Sequence, residues 1–376
     1  MEKIRILYAM ETIASGGVEQ RRLLLAKWFD PNQYKLKIIC TNAIGAIPEE
    51  LEKFGIEVIQ VGDFKHPFHI SKHKKVLKII NSFRPHIFHG ATFEGIAMAA
   101  IGGNIGKVPI LILEETSDPQ NRSSKANFLL RQFVKFSDCI VAISPNVKNY
   151  LINKAKVPFQ KIRLIINGVQ IPRQVLSEEL NVIKNQHSLK NKDFVIGFVG
   201  RLYDDHKRVS DLIIAISLIK VPCIKLLIVG DGKDRDKLEK LIEELSVQNK
   251  VILVGNQSDP SSFYKIMDVF CVPSSREGFG LVAAEAMLHH LPVVATKVGG
   301  LQDVVVDGET GFLVPPLNPK ALSEKLQILI DNPELRTRMG NAGYQRAMQH
   351  YTADRYCQEV ENLYLTLLKQ KGILPN

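Results

Sequence analysis

Phe194-Val195-Ile196-Gly197-Phe198-Val199-Gly200-Arg201-Leu202 is a short, nearly continuous apolar run that closes on glycine, arginine and leucine. Such a run, bounded by a turn residue, reads as a strand buried on both faces, the kind found in parallel sheets. Its neighbours decide the architecture. Upstream, residues 171–193 lapse into a polar stretch without apolar periodicity, running through Ser177-Glu178-Glu179 and Asn185-Gln186-His187. Before that stretch lie strand-like runs at 4–9, 36–40, 58–61, 87–89, 110–113, 139–143 and 162–166, most followed by helical periodicity such as 20–28 and 145–152. After residue 200 a second series follows at 225–229, 251–254, 269–272, 293–295 and 311–314. Strand and helix in alternation predict a parallel sheet covered on both faces, and the interruption predicts two such sheets. The expectation is an α/β chain with one doubly wound domain over 1–170, a linker over 171–193, a second domain over 194–350, and a closing helix over 351–376. Ligand loops of such sheets lie at the carboxyl ends of the strands, so the chemistry is expected in a cleft where the two domains face each other.

The 376 residues are 45% hydrophobic and 23% charged, a globular composition that suits two sizeable cores. Five cysteines stand singly, without a C-x-x-C pair, which argues against a disulfide framework or zinc site and favours a reducing cytoplasm. The chain enters a strand pattern at once, without the long apolar core of a signal peptide. The most apolar later stretch, 96–113, is cut by glycines, a lysine and a proline and does not read as a bilayer span. A net charge of +10 and a pI near 9.2 imply an acidic partner: nucleotide phosphates, nucleic acid or an anionic membrane face. Residues 65–84 carry six Lys or Arg and three His, spaced among Val76, Leu77, Ile79, Ile80 and Phe83 at helical intervals. That segment reads as a helix with a core face and a solvated basic face, or as a face apposed to a membrane. No ribonucleoprotein aromatic signature, zinc-finger spacing or basic zipper is present, so nucleic acid is not expected.

Chemistry concentrates in the second series. Glu277-Gly278-Phe279-Gly280-Leu281-Val282-Ala283-Ala284-Glu285 places two carboxylates eight positions apart, across a loop that runs into a helix. Glu277 is expected on the loop and Glu285 about two turns into the helix, with free backbone N–H groups between them that suit an anion or sugar hydroxyls. A plain surface helix with two solvated glutamates produces the same spacing. Arg201, at a strand end, and Lys207, six residues on, can grip a diphosphate, the arginine as a planar fork and the lysine as a point charge; two solvated loop cations read alike. Gly230, in Val229-Gly230-Asp231-Gly232, and Gly255 leave bare backbone for a base or ribose. Together these explain a nucleoside diphosphate: cations for phosphate, glycine turns for the base, Glu285 for the ribose hydroxyls and Glu277 for an attached sugar. No bound metal or cofactor is needed, and no D-x-D pair stands out, Asp204-Asp205 reading as a turn. In the first series Gly16 and Gly17, within Ala14-Ser15-Gly16-Gly17-Val18-Glu19, read equally as a plain turn or a phosphate site.

These motifs, with Pro273-Ser274, Gly299-Gly300, Asp307-Gly308 and Thr310-Gly311-Phe312, resemble the retaining glycosyltransferases of family 4, which have the two-domain GT-B fold. The first domain resembles that family more loosely, through Gly16-Gly17-Val18-Glu19, Arg84-Pro85-His86, Ser144-Pro145 and Asn167-Gly168-Val169. The resemblance implies sugar transfer from a nucleotide donor with the anomeric configuration kept. Arg201 and Lys207 then neutralise the leaving diphosphate, Glu285 binds ribose, and the backbone near Phe279, Gly280 and Leu281 holds sugar and phosphate. Where many members carry a histidine that contacts the donor sugar, after the strand at 110–113, this chain has Glu114-Glu115-Thr116-Ser117-Asp118, which puts Glu115 at that position as a candidate catalytic residue beside Arg201, Lys207 and Glu277. His89, at a strand end, reads as structural or acceptor-side. The resemblance also implies a closing helix that crosses back onto the first domain. A UDP-sugar is favoured as donor, and a lipid-linked oligosaccharide or cell-surface polysaccharide as acceptor, met in the cytoplasm or at the inner face of the membrane through a peripheral anionic contact. The alternatives are a sugar-nucleotide epimerase, a soluble synthase of the same fold, or a non-catalytic nucleotide-sugar-binding subunit.

Overall fold

The computed structural model describes residues 2–14, 16–117 and 122–375; Ser15 and Asp118, quoted above, lie outside the described residues. Thirteen strands are found among the described residues, in two all-parallel sheets. The first holds β1 (Ile4–Ile13), β2 (Tyr34–Ala43), β3 (Glu57–Gln60), β4 (Ile87–Ala91), β5 (Ile110–Glu115), β6 (Cys139–Ala142) and β7 (Ile162–Leu164), in the order β3-β2-β1-β4-β5-β6-β7. The second holds β8 (Phe194–Val199), β9 (Ile224–Val229), β10 (Val251–Gly255), β11 (Val269–Val272), β12 (Val293–Thr296) and β13 (Gly311–Val314), in the order β10-β9-β8-β11-β12-β13. Every apolar run read as a strand overlaps one of them, the runs 58–61, 139–143 and 162–166 ending one or two residues beyond β3, β6 and β7. Strands β1, β2 and β5 run further than their apolar cores because partners in register carry the pairing through Thr12, Asn42 and Glu114.

The chain divides into two compact units, residues 1–168 with 353–376, and residues 169–352. In the first, the helices Gly17–Trp28 and Ala46–Lys53 and the closing helix Ala353–Gln370 cover one face of the sheet, burying Leu23, Leu25, Ile47, Leu51, Tyr364 and Leu368 against Ile6, Tyr8 and Ile38. Fully burying a side chain of that kind stabilises by about 1.5–3 kcal/mol, so the closing helix is part of this core. In the second, Leu212, Ile213 and Ile216 of the helix Val209–Leu218 pack with Leu322, Leu326 and Leu329 of the helix Pro319–Asp331 against Leu226 and Ile228 of β9.

The polar stretch 171–193 contains a helix, Ser177–Gln186, built into the second unit. Arg173 ties it down, with Nη2 2.5 Å from Glu179 Oε1 and Nε 2.6 Å from Asp259 Oδ2. Only Ile183 on this helix is buried, so its apolar period is too thin to read against the charged residues around it.

Candidate nucleotide-sugar site

A doubly wound sheet opens a crevice where consecutive strands depart to opposite sides. In the second sheet that point lies between β8 and β11, because β9 follows β8 on one side and β11 pairs with β8 on the other. The loop after β8 brings Lys207 there, and the loop after β11 brings Glu277. Lys207 Nζ donates to Glu277 Oε2 at 2.6 Å across seventy residues of chain, both side chains being partly buried. Further bonds lace the two loops: Ser275 N–H donates to His206 O and Ser275 Oγ to Asp205 O, each at 2.8 Å, and Arg276 Nη2 is 2.6 Å from His206 Nε2.

Local structure fixes Lys207. Asp204–Lys207 is a one-turn helix where a turn was expected, and Asp204 is buried, accepting from Ser210 N–H at 2.9 Å and Lys237 Nζ at 3.1 Å. Burial alone would raise the Asp204 carboxyl, but these donors hold it below the ordinary value. Arg208 turns the chain at φ 51°, a conformation that costs a non-glycine residue on the order of 1 kcal/mol. Its guanidinium is clamped on Asp211 by bonds of 3.0 and 2.6 Å. Arg201, at the end of β8, is exposed, with its guanidinium carbon 5.6 Å from the Tyr203 ring centroid; Lys233 Nζ approaches the same ring at 5.2 Å.

Three glycines mark the carboxyl ends of β8, β9 and β10. Gly230 has φ 139°, and a Cβ there would meet Gly200 O at 1.9 Å; its N–H donates to Gly255 O at 2.8 Å. Gly255 has φ 86°, and a Cβ there would meet only Arg235 Nη1, at 4.0 Å, an ordinary contact. The strand ends at Gly200, Gly230 and Gly255 therefore abut backbone to backbone.

The helix Leu281–Leu288 starts at Gly280, in the left-handed region at φ 98° and without a side-chain cap, and a Cβ on Gly280 would lie 2.5 Å from Leu301 Cδ2. Leu281 is the first helical residue. Phe279 points inward, 2% exposed and edge-on to Tyr351 at 5.5 Å, so it anchors the loop in the core. Glu285 lies one turn into the helix, not two. It accepts from Tyr264 Oη at 2.8 Å, and burial raises its carboxyl pKa above the ordinary value, with that bond opposing. Tyr264 carries no spacing that marks it in the sequence; it is held by stacking on His289 at 4.9 Å.

In the first sheet the corresponding point lies between β1 and β4. Gly16 is the N-cap of the helix that begins at Gly17, and Glu19 folds back over it to accept from Ala14 N–H at 3.3 Å, so a carboxylate of the chain already sits at this helix start. On the other side of the point Thr92 has φ 64°, a rare state for a β-branched residue, with its hydroxyl accepting from Glu11 N–H at 2.9 Å. Glu115 is buried at the end of β5, where Arg122 binds both its oxygens and Ser117 Oγ donates at 2.8 Å.

Beneath this end lies a buried ionic cluster. Arg22 Nη2 donates to Glu114 Oε2 at 2.5 Å, and His89 Nε2 lies 3.0 Å from the same oxygen. His89 Nδ1 is 2.6 Å from Tyr364 Oη, which is 2.7 Å from Tyr8 Oη. Burial pushes the Glu114 pKa up, but Arg22, His89 and Arg21 outweigh it and hold the carboxyl well below the usual range; burial lowers His89. Among the described residues, no group of three or more His, Cys, Asp or Glu is placed to hold a metal ion, and no helix is long and apolar enough to cross a membrane.

Two family models match the chain, that for glycosyl transferases group 1 over residues 181–346 and that for glycosyltransferase family 4 over residues 15–173. The capsular polysaccharide biosynthesis glycosyltransferase CapM of Staphylococcus aureus is 31% identical over 338 residues, which cover 86% of this chain and 88% of CapM. The N-acetyl-alpha-D-glucosaminyl L-malate synthase of Bacillus anthracis is 25% identical over 244 residues, covering 65% of this chain and 63% of that enzyme. Anabaena Alr3699/HepE, solved in complex with UDP-glucose, has the same fold, with a TM-score of 0.86 and 22% identity over 96% of this chain and 99% of HepE. The chain belongs to glycosyltransferase family 4, the group 1 glycosyl transferases of GT-B fold.

Proposed function

We propose that this glycosyltransferase is a retaining enzyme that moves a sugar from a UDP-sugar to a lipid-linked oligosaccharide or cell-surface polysaccharide, without a metal ion. The observation that carries the reading is the Lys207–Glu277 pair, 2.6 Å apart at the switch point of the second sheet. A nucleoside diphosphate laid there has cationic Arg201 and Lys207 for its phosphates, the bare backbone at Gly230 and Gly255 for its base, and Glu285 for the two ribose hydroxyls. The uncapped helix start at Gly280 and Leu281 adds N–H groups for phosphate and sugar. Glu277, held by Lys207, presents its remaining acceptor capacity to the sugar hydroxyls.

The reaction breaks the bond between the anomeric carbon and the diphosphate oxygen, and forms a bond from that carbon to the acceptor oxygen on the same face. The acceptor proton passes to the departing phosphate oxygen, which serves as base. Charge develops on the diphosphate, where Lys207, held by Glu277, and the exposed Arg201 offset it; the two cations take the part a divalent ion plays in other sites, which supports metal independence. UDP as the nucleotide is supported by the UDP-glucose complex of HepE, and a polysaccharide or lipid-linked acceptor by the name of CapM. In the first unit, Glu115, bound by Arg122, is assigned the part of the family's donor-sugar histidine, and the turn at Gly16 and Gly17 is assigned to phosphate. Transfer from a panel of nucleotide sugars in excess EDTA, with the anomeric configuration of the product read by NMR, tests the reading. A retained configuration is expected, and an inverted product or a strict metal requirement would sink it.

A further inference from the structure

Two consecutive residues of the loop after β8 meet two consecutive residues of the loop after β11. Lys207 meets Glu277 and, one position earlier on both loops, His206 meets Arg276, each across 2.6 Å and seventy residues of chain. The transfer chemistry uses the first contact and leaves the second without a part. Tyr203 O accepts from His206 N–H at 3.0 Å and from Lys207 N–H at 2.7 Å, so both side chains leave one closed turn. On the other loop Gly300 N–H donates to Glu277 O at 2.9 Å, and Ser275 donates to the carbonyls of His206 and Asp205. Arg276 stands between these two anchors. Among the described residues no carboxylate lies within ion-pair distance of its guanidinium, which rests on the imidazole of His206.

The chemistry of that contact fixes its protonation. A guanidinium has only donors and keeps its charge. The ring nitrogen that faces it, Nε2, therefore presents a lone pair, which puts the proton of the neutral imidazole on Nδ1. A proton on Nε2 would set donor against donor and cation against cation, and the contact would part. An ammonium on a carboxylate carries no such switch, since imidazole alone among ordinary side chains changes charge between about pH 5 and 8. The charged groups that face His206 are Arg276 from one loop and Asp205, Lys207 and Arg201 from the other. Burial lowers His206 from its ordinary 6.5, Arg276 adds to that effect, and of the rest only Asp205 opposes it. The neutral, accepting ring is the state these surroundings favour.

We propose that His206 is a positioning residue for the transfer: its neutral imidazole, by accepting from Arg276, keeps the loop after β11 in the register that seats Glu277 on Lys207, and its protonation releases that hold. Arg276 and Glu277 are adjacent in the chain, so movement of one carries the other. That Lys207 and Glu277 serve the donor rests on the function proposed above; the contact between His206 and Arg276 stands without it.

Calorimetric titration of the full chain with UDP at about pH 8 and about pH 5.5, on either side of the imidazole range, compares the parent with His206→Gln, His206→Ala and Arg276→Gln. Thermal melts of the same preparations show that each is folded. A glutamine amide oxygen accepts from Arg276 at either pH, and alanine offers nothing. At the higher pH the parent and His206→Gln are expected to bind alike, and the other two roughly three- to tenfold more weakly, the worth of one net hydrogen bond. At the lower pH the parent is expected to fall to the level of His206→Ala while His206→Gln keeps its lead. Titration of the nucleotide and of Glu285 is common to all four proteins and cancels in these ratios. A parent that keeps pace with His206→Gln at the lower pH would overturn the proposal, as would one that gains on it, which is the behaviour of an imidazolium set directly on the phosphates. Imidazole NMR without nucleotide reads the contact by itself, the His206 signals being those lost in His206→Gln. The Nδ1–H tautomer is expected, with a midpoint below 6.5 that rises in Arg276→Gln; the Nε2–H tautomer, or a midpoint indifferent to Arg276, would overturn the contact. UDP that does not bind the parent counts against the function proposed above, whereas UDP bound with the same ratios at both pH values counts against the positioning alone.

Discussion

Replacing Lys207 by alanine separates catalysis from folding at the switch point of the second sheet. Its ammonium is 2.6 Å from Glu277, with the two side chains 23% and 17% exposed. A pair so placed contributes on the order of 1 kcal/mol to folding, about 2–4 °C in Tm for a domain of this size. Its proposed work on the departing diphosphate is larger, since loss of one preorganised donor at a developing anion costs about 2.7–4 kcal/mol, or 10²–10³ in kcat. Lys207→Ala also leaves the Glu277 carboxylate unneutralised beside the donor phosphates, which weakens donor binding. Glu277→Gln added to Lys207→Ala therefore recovers part of the donor affinity while kcat stays low. Steady-state transfer with saturating donor, together with thermal melts of the same preparations, reads both quantities. Parental turnover in Lys207→Ala would refute the reasoning, as would a melting loss of ten degrees or more that accounts for the lost activity by unfolding.

Tyr264→Phe removes the hydroxyl that Glu285 accepts from at 2.8 Å; a bond to a charged group contributes about 1.5–3 kcal/mol to stability, so the variant is expected to melt measurably below the parent, and KM for the donor is expected to rise in initial-rate assays because Glu285 loses the partner that orients it. Because the folded-state pKa of Glu285 is raised, donor affinity is expected to fall as pH drops through that raised value, whereas the free protein gains stability from this group over the same interval; calorimetric titration at several pH values checks the sign. The first unit responds oppositely. The depressed Glu114 contributes stability that is lost as pH falls below the ordinary carboxylate value of 4.5, and His89, lowered from 6.5, resists the protonation that unfolding allows; acid unfolding followed by circular dichroism is expected to begin below about pH 6.5 and steepen below 4.5, and Arg22→Ala, which takes from the buried Glu114 its nearest cation and leaves it His89 and the more distant Arg21, costs up to about 3–5 kcal/mol. Gly230→Ala is expected to melt well below Gly255→Ala, since the added Cβ meets backbone at 1.9 Å in the first and only the end of the Arg235 side chain, at 4.0 Å, in the second.

The strands were legible because parallel strands buried on both faces leave short, nearly unbroken apolar runs, and all of these fall in one sheet or the other. Ser177–Gln186 was not, because a helix that buries a single isoleucine leaves no period to detect. Site residues divide in a similar way. Arg201 and Glu277 adjoin Gly200 and Gly278 in the loops after β8 and β11, and the proposed roles of Lys207 and Glu285 were read from their spacing to those two residues. The contact between Lys207 and Glu277 could not be read in this way, since it depends on β8 and β11 being neighbours in a sheet whose order the chain does not spell out. Tyr264 was invisible for the same reason. The Arg21, Arg22, Glu114 and His89 cluster was missed on different grounds: charged residues are ordinarily solvated, and only the closing helix, which brings Tyr364 to 2.6 Å from His89, makes the interior they occupy.

Calorimetric titration of the purified chain with UDP in excess EDTA, alongside Lys207→Ala and Glu285→Ala, tests the central claim most directly. The account predicts one metal-independent site per chain, weakened at least about tenfold by either substitution. Absence of UDP binding, or binding that both variants leave unchanged, would contradict it.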